Sequence, residues 1–152
     1  MLIAEMALGE CQQFLARTGF GRLGCAHNNE PYVVPIYFVY ENDRLYGFST
    51  FGRKIEWMRE NPRVCVEVDE IATHSSWVSV ILYGRYQELP DTPEYSSERH
   101  HAYELFEKRT HWWEIAHSVR GHKPAPSIYY RIDIVNMTGQ WAAPNPIKPD
   151  RP

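Results

Sequence analysis

Two short turns and one longer connection restrict the strand arrangements open to this chain. Asn28-Asn29-Glu30-Pro31 separates a compact apolar segment at 22–27 from a β-rich run at 32–40, and Glu41-Asn42-Asp43 separates that run from a third at 44–50. Farther on, Val64, Val66 and Val68 alternate with Cys65, Glu67 and Asp69, and a loop at 70–76 leads to a longer strand at 77–88. Parallel neighbours need a crossover of roughly a dozen residues or more, which none of these connections supplies. The runs therefore pair as antiparallel hairpins. A last alternating strand at 128–135 makes six.

Helical spacing appears in three places. Leu8, Cys11, Phe14 and Leu15 form one stripe, ended near Gly19. Phe51, Ile55 and Met58 form a second over 52–60, stopped by Asn61-Pro62. Thr92 and Pro93 open a third, whose apolar positions Ala102, Leu105, Phe106, Trp112, Trp113, Ala116 and Val119 continue to Gly121. Strands joined by hairpins, with one short helix between them, predict a mainly β protein with flanking helices, built as a six-stranded antiparallel barrel. The 152 residues, 43% apolar and 23% charged, suit a single domain over 1–141 followed by a Pro-rich tail at 142–152.

Composition narrows the function classes. A formal charge of -3 lacks the global footprint of a nucleic-acid binder. No apolar run reaches the roughly 20 residues of a membrane span, and the N-terminus lacks the regions of a signal peptide, so a cytoplasmic protein is expected. Cys11, Cys25 and Cys65 show no metal or disulfide spacing and are expected to be reduced. His100, His101, His111, His117 and His122 give no i, i+4 metal pair, so no metal site is expected. Ten Tyr and five Trp exceed what one small barrel buries, and strand 32–40 is apolar on both faces. Both features predict a homodimer, with Trp57, Trp112, Trp113 and Trp141 as interface candidates.

The stretch Phe48-Ser49-Thr50-Phe51-Gly52-Arg53-Lys54 joins a strand end to a helix start. Two hydroxyls, two cations and unpaired helix N–H groups converge there, which suits a phosphate monoester. The competing reading is that Ser49 and Thr50 cap the helix while Arg53 and Lys54 are solvated. Cations oppose the dipole at a helix start, which favours a bound anion. Alternation puts Phe48 and Ser49 on opposite faces, so either Ser49 meets the ligand and Phe48 is core, or the reverse.

Gly21-Arg22-Leu23-Gly24, Pro31-Tyr32-Val33-Val34-Pro35-Ile36-Tyr37-Phe38-Val39-Tyr40, Gly52-Arg53-Lys54-Ile55, Asn61-Pro62-Arg63-Val64-Cys65 and Trp77-Val78-Ser79-Val80 before Tyr83-Gly84-Arg85 follow one another in a familiar order. Over about residues 8–90 the chain resembles the FMN-binding split barrels related to pyridoxamine 5′-phosphate oxidase, in the branch that includes nitroimidazole-resistance proteins. The resemblance implies a six-stranded split barrel, a homodimer, and flavin mononucleotide (FMN) at the subunit interface. Its phosphate would meet Ser49, Thr50, Arg53 and Lys54. Pro35, Ile36 and Tyr37 would lie along the ring system, with Trp77, Ser79 and Val80 approaching from a neighbouring strand. For Tyr37 and Trp77, packing in the core or the dimer interface is the competing role. The chain departs from the pattern at Phe48 and Tyr37, where relatives carry His and Asn, so a substrate does not follow from the resemblance. The implied activity is an FMN-dependent oxidation or reduction of a small organic molecule, with reduced nicotinamide as electron donor and no catalytic residue assigned. The alternatives are a flavin or haem carrier or sensor without turnover, and a deazaflavin-dependent reductase.

Overall fold

The computed structural model describes residues 1–109 and 127–145. In chain order the described elements are β1 (Leu2–Glu5), α1 (Leu8–Arg17), β2 (Phe20–His27), β3 (Glu30–Tyr37), β4 (Val39–Glu41), β5 (Arg44–Ser49), α2 (Arg53–Glu60), β6 (Arg63–Thr73), β7 (Ser76–Glu88), α3 (Ser96–Glu107) and β8 (Ile128–Ala143). The strands form one antiparallel sheet in the order β3-β2-β6-β7-β8-β5-β4, with β1 added beside β8. Only Phe38 separates the edge strands β3 and β4, so the sheet curls back toward its own start. This is a mainly β, split-barrel architecture with few helices, as the hairpin pattern predicts.

The turns explain the pairing. Asn28 and Asn29 have φ of 48° and 65°, and Asn42 and Asp43 have 49° and 57°. Positive φ at both central residues gives the hairpin turn whose twist matches the flanking strands, and Asn and Asp tolerate it best among residues with side chains.

Four expectations need correction. Eight described strands replace six, because β1 carries no alternation signal and the run at 32–40 breaks at Phe38 into β3 and β4. The last strand does not stop at 135 but continues to Ala143, paired along its length with β7 and β1. The loop expected at 70–76 is mostly strand, with β6 reaching Thr73 and β7 starting at Ser76. The third helix begins at Ser96 rather than at Thr92. Trp112, Trp113, Ala116, Val119, Gly121, His111, His117 and His122 lie outside the described residues, as do 146–152 of the Pro-rich tail.

The barrel interior holds Leu23, Ile36, Leu45, Val66, Val68, Val80, Leu82, Tyr130 and Ile132. Both its ends are stoppered by helices, with Cys11, Phe14 and Leu15 from α1 and Ile55 and Met58 from α2. Phe51 and Leu8, which complete the helical stripes in the sequence, are exposed instead. A second cluster lies outside the barrel, where Ala102 and Phe106 of α3 cover Val39, Tyr46 and Leu89. Glu98 of α3 holds it in place through Arg44, Tyr46 and Arg131.

Two glycines let side chains and backbone approach more closely than a Cβ permits. A Cβ at Gly84 would lie 2.6 Å from the Asp133 carbonyl oxygen, beside the irregularity where Tyr83 pairs with Asn136 but Gly84 with Ile134. The extra residue, Val135, is pushed outward as in a β-bulge and is 79% exposed. At Gly47 a Cβ would lie 2.4 Å from Tyr130 Cζ, in a ring that is 1% exposed and has nowhere to go. Gly47→Ala is expected to cost about 1–3 kcal/mol by overpacking. Urea unfolding checks this, and an unchanged midpoint would mean that the Tyr130 ring is not seated on Gly47.

Candidate functional site

Helix α2 is the element that positions the candidate phosphate-binding residues. Its apolar side, Ile55 and Met58, is wholly buried against the barrel end. Its last turn is latched to β7 by a two-pronged ion pair, Arg59 Nε to Glu88 Oε2 at 2.8 Å and Arg59 Nη2 to Glu88 Oε1 at 2.7 Å. The Tyr86 hydroxyl donates to the same carboxylate at 3.1 Å. These donors hold the Glu88 carboxyl below its ordinary pKa, Arg59 most of all, while burial in the shared site pushes the Tyr86 phenol up. Beyond the helix, Asn61 Nδ2 donates to the Ala26 carbonyl at 3.0 Å, fastening the chain to β2.

The start of α2 is left open. Gly52 at the N-cap has extended backbone, no side chain caps the helix, and nothing approaches within 4 Å of where its Cβ would sit. The first helical hydrogen bond runs from Glu56 N to Gly52 O, so the N–H groups of Arg53, Lys54 and Ile55 have no carbonyl partner within the helix. The Ser49 hydroxyl donates to the Thr50 carbonyl at 2.7 Å rather than capping the helix. Thr50 is exposed beside it.

Two cations with different surroundings stand at this open end. The Arg53 guanidinium lies over the rings of Tyr32 and Trp57, 5.5 Å and 5.9 Å from their centroids. Lys54 is half-buried next to Cys25 and makes no hydrogen bond or ion pair with any described residue. Burial lowers its pKa from the usual lysine value. The same burial raises the Cys25 thiol, against a smaller opposing effect of the nearby ammonium. A desolvated cation without a counter-charge is a standing cost to the fold. An anion at the helix start removes it.

The remaining site residues of the sequence reading separate into inward and outward sets. Ile36 and Val80 are buried in the barrel core, at 4% and 0% exposure, so their side chains face away from any ligand outside the barrel. Pro35 and Tyr37 point outward, with the Tyr37 ring 4.9 Å from that of Phe20. Phe48 packs on Phe106 and Tyr129 beneath α3, so it belongs to the second core and not to a ligand face. Trp77 and Ser79 lie near the far end of β7. Ser79 pairs with Asp69, four residues along β6 from Cys65, which is roughly 13 Å of strand from the neighbourhood of Lys54. Within one protomer, Ser49, Thr50, Arg53 and Lys54 flank the single turn between β5 and α2, while Trp77 and Ser79 stand apart from it.

A polar chain on the outer face bridges the gap between β3 and β7. Arg22, opposite Pro35, reaches Glu67 at 3.3 Å and Asp69 at 3.5 Å, and the Ser79 hydroxyl donates to Glu67 at 3.2 Å. Arg22, Glu67 and Asp69 were not among the site residues expected from the sequence. Their outward positions in the alternation were the available signal, but which strands are neighbours is a property of the sheet order. Among the described residues no three His, Cys, Asp or Glu side chains gather as a metal site, and no helix is long and apolar enough to cross a membrane. Cys11, Cys25 and Cys65 are free thiols, and His100 and His101 pair with Glu104 and Glu41.

A family model described as pyridoxamine 5′-phosphate oxidase matches residues 8–141. An uncharacterized protein of Rhizobium meliloti (strain 1021) is 40% identical over 150 residues, covering 93% of this chain and 97% of that protein. The crystal structure of a protein from Mesorhizobium loti described as FAD-binding is similar with a TM-score of 0.81 at 43% identity, covering 94% of this chain and all of the other. A protein of Bacteroides thetaiotaomicron named for 5-nitroimidazole antibiotic resistance shares the fold, with a TM-score of 0.65 at 21% identity over 93% of this chain and 89% of that one. A match over nearly the whole barrel, together with two relatives at or above 40% identity, shows that this chain belongs to the pyridoxamine 5′-phosphate oxidase family.

Proposed function

We propose that the protein binds a flavin by its phosphate at the start of α2 and acts as a flavin-dependent oxidoreductase on a small organic molecule, with reduced nicotinamide as electron donor. The observation that carries this reading is Lys54, a half-buried ammonium with no partner among the described residues, beside an uncapped helix start and the Arg53 guanidinium. The donor set fits a phosphomonoester. Lys54 and Arg53 supply charge, α2 supplies N–H groups, and Ser49 and Thr50 supply hydroxyls. FMN presents a phosphomonoester, and FAD, which the Mesorhizobium relative is described as binding, presents the corresponding phosphate as part of a pyrophosphate.

A bound flavin supplies the hydride chemistry, and the chain supplies position and surroundings. Lys54 and Arg53 hold the phosphate, and the backbone of Pro35, Ile36 and Tyr37 offers groups for the ring edge. The outward face carries Phe20, Tyr37, Ile71 and Ile81, exposed by 39–69%. A second copy of the chain is the occupant we assign to it, with Trp77 and Ser79 of each protomer serving the flavin of the other.

Four outcomes test the reading. Replacing Arg53 and Lys54 together by Ala removes two charge-assisted hydrogen bonds of roughly 1.5–3 kcal/mol each. Flavin affinity, read by fluorescence titration, should fall at least about tenfold, and an undiminished affinity in the folded variant would remove the assignment. Oxidation of a reduced nicotinamide by the flavin-loaded protein separates an enzyme from a carrier.

Lys54→Met should raise the thermal midpoint of the ligand-free protein by roughly 2 °C or more while weakening flavin binding. The sign follows from proton counting. A lysine pKa lowered by folding means that the unfolded chain binds more protons, so wild-type stability rises with pH toward the ordinary lysine value. The advantage of Met is therefore largest at neutral pH and shrinks as pH climbs through that window. A loss of stability at pH 7 would contradict the reading of Lys54.

Sedimentation at micromolar concentration should give a particle of twice the 17.8 kDa chain mass, and a lone monomer would overturn the paired assembly.

A further inference from the structure

The outward face of β6 and β7 carries charge sorted by row. Cross-strand partners share a face, and successive rows on one face lie two residues, roughly 6.7 Å, apart. Arg63 and Arg85 pair directly in the row nearest α2. Both are exposed, and neither side chain makes an ion pair or hydrogen bond with a described residue. Asp133, opposite Arg85 on β8, is engaged instead by Arg44 at 3.1 Å and Arg131 at 3.0 Å. The next row holds Cys65 and Tyr83, and the one after it Glu67 and Ile81. A fourth runs from Asp69 through Ser79 and Gln140 to Glu5. Its carboxylates and Glu67 have one cation among the described residues, Arg22, at 3.3 Å from Glu67 and 3.5 Å from Asp69. The face is therefore basic at the end nearest α2, acidic farther along, and apolar between, where Tyr83 and Ile81 are 55% and 39% exposed.

Two copies of this face can meet with their strands running the same way or in opposite ways. A closed pair uses the same patch on both sides, about a two-fold axis lying in the contact plane. An axis parallel to the strands sets each row on its own counterpart, arginine on arginine and carboxylate on carboxylate. Like charges brought together in that way oppose association. An axis across the strands reverses the order of the rows, and unlike charges meet. Placed between the Tyr83 and Ile81 rows, it sets each Arg63–Arg85 row over the Asp69 row of the other copy, with Glu67 one row inward, and lays Tyr83 against Ile81.

We propose that the second copy docks in that reversed register, with Arg63 and Arg85 of each copy against Asp69 and Glu67 of the other. This rests on the reading of the outward face as the contact between copies. The register also gives that contact a use. Reversal carries Ser79 of one copy to the Arg63–Arg85 row of the other, and Trp77 one row beyond it, to the end of the sheet where the other copy seats α2. Within one protomer, both residues stand at the opposite end.

The test exchanges charge between the two ends. Arg63→Glu/Arg85→Glu and Glu67→Arg/Asp69→Arg, each alone, set like charges together and should sediment at micromolar concentration as monomers with a folded circular dichroism spectrum. Mixed in equal amounts, they should recover a particle of twice the chain mass, because each altered end then meets its complement. Where either reversal does not fold, the milder Arg63→Gln/Arg85→Gln should raise the dissociation constant of the dimer at least about tenfold and flatten its dependence on salt. Reversed variants that stay dimeric, folded monomers that do not recombine, or a Gln variant with an unchanged dissociation constant overturn the proposal. Titration with FMN separates this register from the flavin reading. Variants that recombine but bind no FMN support the register and remove the flavin, whereas a monomeric wild type that binds FMN overturns the register and leaves the phosphate site standing.

Discussion

The seating of α2 on the barrel end is the contact on which the candidate site depends. Burying Ile55 and Met58 contributes roughly 3–6 kcal/mol, and the Arg59–Glu88 pair prevents the helix from pivoting about that contact. The same seating draws the stem of Lys54 into partly apolar surroundings and leaves its ammonium without a partner among the described residues. Stability gained by the apolar side of the helix offsets a local cost on its other side. That cost is the expected signature of a residue kept for binding rather than for folding.

Much of the fold was legible from local chemistry. Asn28-Asn29 and Asn42-Asp43 are turn residues because their side chains tolerate positive φ, and the observed values lie in that region. Alternation at Val64, Val66 and Val68 picked out the inward face of β6, and Ile55 with Met58 picked out the buried side of α2. The grouping of the candidate phosphate-binding residues was legible for the same reason, since Ser49, Thr50, Arg53 and Lys54 are neighbours in sequence around one strand-to-helix turn, without help from distant parts of the chain.

What escaped the sequence depends on distant pairing. Thr138 and Gly139 carry no strong strand signal, yet β8 continues through them because β7 and β1 offer hydrogen-bonding edges on either side. The β2–β3 ladder ends at Phe38, whose N–H makes a last in-register bond to the Gly19 carbonyl at 2.9 Å before the chain passes to β4. Arg63 and Arg85 are 22 positions apart and look like ordinary surface cations until the β6–β7 register places them opposite each other. The Ile36 and Val80 side chains lie in the core, which leaves their backbone to face a ligand outside the barrel, since a match to the family pattern marks a segment and does not say which side chains of it face outward.

The central claim is that the open start of α2 is where a flavin phosphate is held. A crystal structure of the protein with flavin bound tests it most directly. The account predicts phosphate oxygens within ~3 Å of Lys54 Nζ and of the first N–H groups of α2. A flavin bound with its phosphate elsewhere, and Lys54 still unpartnered, would contradict it.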